Sequence, residues 1–319
     1  MSETADWYTR FATLEAHGQS AIYEEWAHGV AADPALLELI EQLPRLRRQP
    51  NLIFGVSRFL GAPVGPYGPW RDWTVAHWTS VYNDALVRLT QTNEARRCAV
   101  LLAALARIPG PLALLEVGAS AGLCLFPDRY SYRFGDGELL HPLDGPSAVL
   151  LECDSSGPII ERMPRVAWRA GIDLNPLDVN SAEDSRWLET LVWPEQAERR
   201  ARLLAAMDIV RADPPLLVRG DATDALAELA AQAPADATLV VMTSGTLVYL
   251  VRAERDRFAS AVGALGARWV SLEAAGLFPA LADQVVAARG PQLDGKFALS
   301  LDDDVLALAG PHGQFLDWL

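Results

Sequence analysis

The chain has little cysteine, no long apolar run and a shortage of positive charge, and each shortage narrows what it can be. Its three cysteines, Cys98, Cys124 and Cys153, form no CxxC and no Cys/His spacing that suits a metal. They read as small buried apolar side chains, and no metal is expected. No uninterrupted apolar stretch approaches the roughly 20 residues of a membrane helix. The opening MSETADWYTRF lacks the basic and apolar regions of a secretion signal. A cytoplasmic protein with no membrane partner is therefore the expectation. Lysine and arginine number 27 against 41 acids, a net charge of −14. So acidic a surface disfavours a long polyanion, and no nucleic-acid partner is expected. The two basic clusters, Arg45-Leu46-Arg47-Arg48 and Arg199-Arg200-Ala201-Arg202, read as solvated helix faces. A small-molecule substrate fits this balance, and the oligomeric state is left open.

What is present is ample core material. Half of the 319 residues are hydrophobic and 21% are charged, enough for one large domain or two ordinary ones. Residues 1–108 read as a helical N-terminal cap domain. Tyr8, Phe11 and Leu14, then Ile22, Tyr23 and Trp26, recur at helical intervals. Asp33-Pro34 starts a further helix. The glycine- and proline-rich stretch 61–69 is a loop, and helices are expected over 72–91 and 93–108. Thr92-Asn93-Glu94 offers the second of these a capping residue and an acid.

From 109 onward apolar strands alternate with helices, the signature of a parallel sheet covered on both faces. Strands are expected at 112–117, 166–173, 215–220, 238–242, 268–272, 297–301 and 305–309, and helices near 195–209, 222–232 and 252–264. Only Asp302-Asp303-Asp304 separates the last two strands, so these must form an antiparallel hairpin. About 49 residues lie between Gly122 and Gly171, more than one helix needs. Tyr130–Phe134 alternates like a strand, and Val149–Glu152 is suited to pair back. A β-rich insertion near 130–160 is expected at the mouth of the ligand site, as a substrate-recognition element or as an edge that covers the sheet.

The most informative stretch is Leu112–Gly122, in which a buried-strand pattern ends in Glu116 and then the turn Gly118-Ala119-Ser120-Ala121-Gly122. Glycines there let the backbone turn sharply and let a ligand come close. The spacing does not match the dinucleotide pattern Gly-x-Gly-x-x-Gly. It resembles the first motif of class I S-adenosylmethionine-dependent methyltransferases, with Ser120 at the middle glycine. That resemblance implies a Rossmann-like methyltransferase sheet, mostly parallel with the last strand antiparallel, and S-adenosylmethionine as cofactor. It implies a cofactor site of Glu116, Gly118, Ala119, Ser120, Gly122, Asp173, Asp221 and Thr243, at the carboxyl ends of successive strands. Asp173 would accept from the ribose hydroxyls and Asp221 would lie by the adenine amino group. The fourth strand, Leu239–Tyr249, has neither the Asn/Asp-Pro-Pro-Tyr of many amino-methylating enzymes nor the metal-binding Asp of many oxygen-methylating ones. Thr243, Ser244 and Tyr249 supply only hydroxyls there.

A second resemblance spans nearly the whole chain. Thr92-Asn93-Glu94, Leu115–Leu123, Asp128-Arg129-Tyr130, Gly171–Asp178 and Leu191–Glu195 are similar to a bacterial family catalogued as domain of unknown function 2332. It implies a methyltransferase-like fold of unassigned activity.

Methyl transfer needs positioning above all, so a missing base is no obstacle. If a base is needed, Glu94, Tyr130 and Tyr249 are the catalytic candidates. A binding or sensor module that keeps the fold without transfer is the alternative. Gly118–Gly122 also spells the hydrolase string Gly-x-Ser-x-Gly, which would make Ser120 a nucleophile with His312 as base and Glu273 or Asp283 as acid. His312 follows the final antiparallel strand, at the edge away from the cofactor site, and reads as structural. His77, beside Trp78, reads as a packed or surface side chain.

Overall fold

In the computed structural model, which describes residues 2–155, 157–158, 160–293 and 295–319, contacts divide the chain into two units. Met1–Thr92 with Asn180–Ala201 form the first, and Asn93–Val179 with Arg202–Leu319 the second. The boundary expected near 108 thus falls at Thr92/Asn93, and a later segment returns to the first unit. Among the described residues, no helix is long and apolar enough to cross a membrane.

The first unit is helical: α1 (Glu3–Phe11), α2 (Ala21–Ala31), α3 (Pro34–Ile40), α4 (Pro50–Leu60), α5 (Tyr67–Ala76) and α6 (Trp78–Val87). Side-chain caps start three of these, with Ser2, Ser20 and Asp33 accepting from Ala5, Tyr23 and Leu36 amides. The apolar spacing buries Tyr8, Phe11, Tyr23, Trp26, Phe54 and Trp70 in one aromatic core. Within it Trp26 and Trp70 stack at 4.6 Å. The single helix expected over 72–91 is broken at His77, whose backbone leaves the helical region while its ring stacks on Trp73 at 4.1 Å.

The second unit opens with α7 (Arg97–Leu105), followed by β1 (Pro111–Val117), β2 (Ser131–Phe134), β3 (Leu150–Ser155) and β4 (Arg165–Asp173). Next come α8 (Ala182–Leu191), which lies in the first unit, and α9 (Ala197–Ala212), which spans the boundary. The remainder is β5 (Leu216–Arg219), α10 (Ala222–Ala230), β6 (Thr238–Ser244), α11 (Arg252–Ala264), β7 (Arg268–Ala274), α12 (Pro279–Arg289), β8 (Phe297–Leu301), β9 (Asp304–Ala309) and β10 (Phe315–Trp318).

Ten strands form one sheet in the order β2-β3-β10-β9-β8-β7-β6-β1-β4-β5. The run β5-β4-β1-β6-β7 is parallel throughout. β1 leads outward to β4 and β5 on one side, and the chain then crosses back to β6 and β7 on the other. The switch of direction therefore lies between β1 and β6. Six of the seven β1 residues are buried, as a strand covered on both faces must be. Leu115 and Val117 pack with Val241, Leu226 and Phe258 on the α10/α11 face. Leu114 and Glu116 therefore point to the other face.

The expected β8–β9 hairpin is present, turning at Asp302 with a left-handed φ of 56°. It is not the end of the sheet, however. β10 pairs antiparallel with β9 and parallel with β3, and β3 pairs parallel with β2. So the antiparallel strand beside the parallel run is β8, and the insertion segments pair in parallel instead of folding back on each other. Asp154 faces Phe315, the first residue of β10. The earlier residues of β3, and β2 beside them, therefore extend past the carboxyl end of β9. Every residue of α7 is buried. It packs on β7, β8 and also β3, so the sheet curves around it. That enclosure is why α7 belongs with the sheet and not with the helices before it.

Candidate functional site

Three left-handed residues at alternate positions shape the turn after β1: Gly118 at φ 77°, Ser120 at 50° and Gly122 at 73°. Glycine adopts this region freely, whereas for Ser120 it costs about 1–2 kcal/mol. Four hydrogen bonds offset that cost. The Ser120 amide donates to Asp173 Oδ2 at 2.7 Å, and its carbonyl accepts from Leu177 at 3.1 Å. Its hydroxyl accepts from Asn93 Nδ2 at 2.6 Å, and Asn93 Oδ1 accepts from the Ala121 amide at 3.1 Å. Gly118 and Ala119 amides both reach the Ile172 carbonyl of β4.

Each glycine has an identified neighbour. A Cβ on Gly118 would collide with the Thr246 side chain, and one on Gly122 would meet Pro215 Cγ at 3.0 Å. On β4, a Cβ on Gly171 would collide with Ala119. The turn leads into a short 3₁₀ segment, Leu123–Leu125, in place of the helix that both the methyltransferase and the hydrolase patterns call for. Phe126 and Pro127 follow, and Arg169 of β4 pins the segment through the Leu125 carbonyl at 2.7 Å and Asp128 at 2.8 Å.

The sequence-expected acids take different places. Asp173 braces the turn with Oδ2 and the Asn175 amide with Oδ1, both at 2.7 Å, so its oxygens already bind backbone. Asp221 is the exposed N-cap of α10, accepting from Thr223 at 2.9 Å. Thr243 is fully buried and accepts from Trp269 Nε1 at 3.3 Å. Glu116 is 5% exposed, and its Oε2 has no hydrogen-bond partner among the described residues. Burial pushes its carboxyl well above the ordinary range, helped by Cys124 and Asp173, with Arg97 pulling the other way. Ser244, two residues beyond Glu116's ladder partner Met242, is also buried with an unpartnered hydroxyl. Two orphaned polar atoms thus lie on adjacent strands at the switch between β1 and β6.

Of the catalytic candidates, Glu94 is buried and its carboxylate accepts from Arg202 Nε at 3.0 Å and Nη2 at 3.3 Å. Tyr130 is fully buried, donating to the Leu123 carbonyl at 2.7 Å. Tyr249 is 82% exposed and stands apart from these groups. Glu94, Glu116, Ala119, Ser120 and Asp173 are gathered around the turn; Asp221 and Tyr249 are not.

Sequence reasoning passed over four residues here. Asn93, which the sequence offers as part of a helix cap, bonds Ser120 and Ala121 of the glycine turn instead. Arg97 is 8% exposed and reaches the Ser244 carbonyl at 2.8 Å and the Pro311 carbonyl at 2.9 Å. Thr246 covers Gly118. Glu273, weighed only as a hydrolase acid, accepts from the Thr246 amide at 3.1 Å and the Leu247 amide at 3.3 Å, and burial pushes its carboxyl up to about 7. The hydrolase arrangement has no base in place, because Ser120's partner is the amide of Asn93. Asp283 is exposed on α12. His312 lies in the β9–β10 turn, with its carbonyl accepting from Arg96. Since β9 runs parallel to β7, that turn sits at the carboxyl end of the parallel strands and not at the opposite edge.

Two cavities lie elsewhere. One of about 460 Å³ is lined by Glu3, Asp6, Trp7, Arg10, Arg45 and Leu46. The other, of about 200 Å³, lies between α7 and the chain end beside Arg107, Arg162 and Trp318. Among the described residues, no cluster of three or more His, Cys, Asp or Glu side chains is placed to hold a metal ion. No curated protein and no solved structure matches the chain. A family model described as an uncharacterized protein conserved in bacteria (DUF2332) matches residues 5–318, and the chain belongs to that family.

Proposed function

We propose that the protein is an S-adenosylmethionine-dependent methyltransferase acting on a small molecule, with its cofactor at the switch between β1 and β6. One observation carries the reading: the Glu116 carboxyl is buried at that point with Oε2 unpartnered. A buried polar atom without a partner is costly, and a ligand that supplies one recovers the cost. S-adenosylmethionine carries an ammonium and a sulfonium, and a cation is the group that such a carboxyl best accepts once it gives up its proton. The position, at the carboxyl ends of a doubly wound parallel run, borders the crevice where ligands bind in such sheets.

The residues fit the cofactor on one condition. Thr246 must swing away from Gly118, since its side chain lies where a ligand would meet the glycine backbone. Glu116 and Ser244 then face the polar end of the cofactor. Asn93 and Asp173 act at one remove, by holding Ser120 in its left-handed conformation. When bound, the cofactor supplies an activated methyl group on sulfur. The chain's own contribution is to place an acceptor in line with it and exclude water.

Isothermal titration with S-adenosylmethionine and its demethylated product tests the reading, on the parent and on Glu116→Gln. The variant keeps the shape of the neutral carboxyl, so it should fold like the parent yet bind at least tenfold more weakly. Proton release on binding, visible as a dependence of the heat on buffer, should be present in the parent and absent in the variant. No binding of either compound refutes the proposal. A second reading, a binding module without transfer, draws on the closed turn and its internally satisfied bonds. It would be favoured by binding without turnover across a panel of acceptors.

A further inference from the structure

Arg96 and Arg97 stand side by side at the start of α7, and among the described residues neither has a carboxylate within ion-pairing distance. Arg97 is buried against the Ser244 and Pro311 carbonyls. Arg96 is partly buried; its backbone amide donates to Glu94 Oε1 at 3.1 Å, and its side chain donates through Nε to the His312 carbonyl at 3.2 Å. Its two terminal nitrogens have no partner among the described residues. Arg202 stands near it, gripping Glu94. Burial, and then the charge of Arg202, pull the Arg96 guanidinium below its ordinary value. The cluster thus sets three guanidiniums against two carboxylates, Glu94 and Glu152, while burial favours the neutral form of Glu116. This local excess of positive charge lies in a chain whose net charge is −14.

We propose that the Arg96 fork, backed by Arg202, anchors a small carboxylate ligand. A free pair of terminal nitrogens is the half of a guanidinium that grips a planar carboxylate through two parallel bonds. Arg202 adds long-range attraction without a competing contact, because Glu94 already holds its Nε and Nη2. A monoanion suits the place better than a phosphate dianion. Glu94 and Glu152 both act electrostatically on Arg96, and they repel a doubly charged ligand more strongly. Asn93, three residues before Arg96, braces the glycine turn, so the anchor lies close to the proposed transfer site. Resting on the methyltransferase reading, this makes the methyl acceptor a carboxylic acid.

The test titrates propionate and inorganic phosphate, at constant ionic strength with chloride as control, and follows the melting temperature of the whole chain. Propionate should raise it saturably in the parent. In Arg96→Gln the apparent dissociation constant should rise at least tenfold, and Arg96→Lys should keep part of the effect. Circular dichroism checks that both variants are folded, since the substitution removes one hydrogen bond to a carbonyl. A parent indifferent to propionate overturns the proposal, as does an equal response from Arg96→Gln. Tighter binding of phosphate than of propionate overturns the choice of a carboxylate. Titration of Arg96→Gln with S-adenosylmethionine separates the two claims, because it should bind as the parent does. A parent that takes up propionate but no S-adenosylmethionine would refute the methyltransferase reading and leave the anion site standing.

Discussion

Gly118 and Thr246 make a pair whose coupling can be worked out from the structure. Gly118→Ala meets two separate obstacles. Its φ of 77° places an alanine in the left-handed region, at a cost of about 1–2 kcal/mol. Its new Cβ would also collide with Thr246 Oγ1 and Cγ2, an overpacking that adds about 1–3 kcal/mol. The single variant should therefore lose roughly 2–5 kcal/mol, the sum of the two terms. Thr246→Gly removes the second obstacle and leaves the first. In that background Gly118→Ala should cost only about 1–2 kcal/mol. The difference between the backgrounds, about 1–3 kcal/mol, is the coupling energy of a double-mutant cycle.

Urea denaturation followed by far-ultraviolet circular dichroism measures the four stabilities. Equal cost in the two backgrounds would show that the side chain of Thr246 does not lie over Gly118, and the reasoning would fail. The same variant serves the functional reading. With no side chain to displace, Thr246→Gly should bind S-adenosylmethionine more tightly than the parent. An unchanged affinity would remove Thr246 from the path of the cofactor.

Three further outcomes follow from the same geometry. Asp173→Ala removes two charge-assisted bonds to the Ser120 and Asn175 amides and should cost about 3 kcal/mol or more, with Asp173→Asn losing less; a loss below about 1 kcal/mol in urea denaturation would contradict the bracing role. Asn93→Ala leaves the buried Ser120 hydroxyl and the Ala121 amide without their partner and should cost about 1–3 kcal/mol, while hydrogen exchange at Ala121 should rise; protection equal to the parent's would show that the bond is not made. Glu273 has its carboxyl raised from 4.5 to about 7, so its stabilising effect is full below pH 4.5 and is lost as pH rises through about 7. The stability of the parent relative to Glu273→Gln should therefore fall by about 2–3 kcal/mol between pH 5 and pH 8, and a pH-independent difference would refute the shift.

The parallel part of the sheet was legible because its strands are continuous apolar runs, the pattern of strands buried on both faces. The Asp302–Asp304 hairpin was legible because so short a link admits no crossover. β10 was not. Phe315–Trp318 is short, and its pairing with β3 joins segments about 160 residues apart, a contact that no local pattern encodes. The parallel pairing of β2 with β3 was hidden for the same reason, since Val149–Glu152 is equally suited to pair back on Tyr130–Phe134. At the site, the glycine turn and Glu116 were visible, but their partners were not. Asn93 looked like a helix cap, and only the fold shows that its amide lies against Ser120 and Ala121 instead. Thr246 carried no signal, because a threonine after a strand fits almost any loop.

The acids at the strand ends show why a motif alone could not assign roles. A carboxylate that follows a parallel strand has two uses of similar energy: accepting from nearby backbone amides or reaching a ligand. Asp173 ends β4 and Asp221 lies just past β5, each within reach of loop or helix amides, and each takes the first use. Glu116 differs in position. It is one residue inside β1, with its backbone in the ladders to both β4 and β6, and its side chain points away from the α10/α11 face. No free amide lies along a strand paired on both sides, so local capping is closed to it. Its carboxyl is left buried with one oxygen unpartnered among the described residues. Of the three acids that the methyltransferase resemblance implies for the cofactor site, Glu116 is therefore the one the sheet denies a local amide partner, and the proposed cofactor reading rests on it.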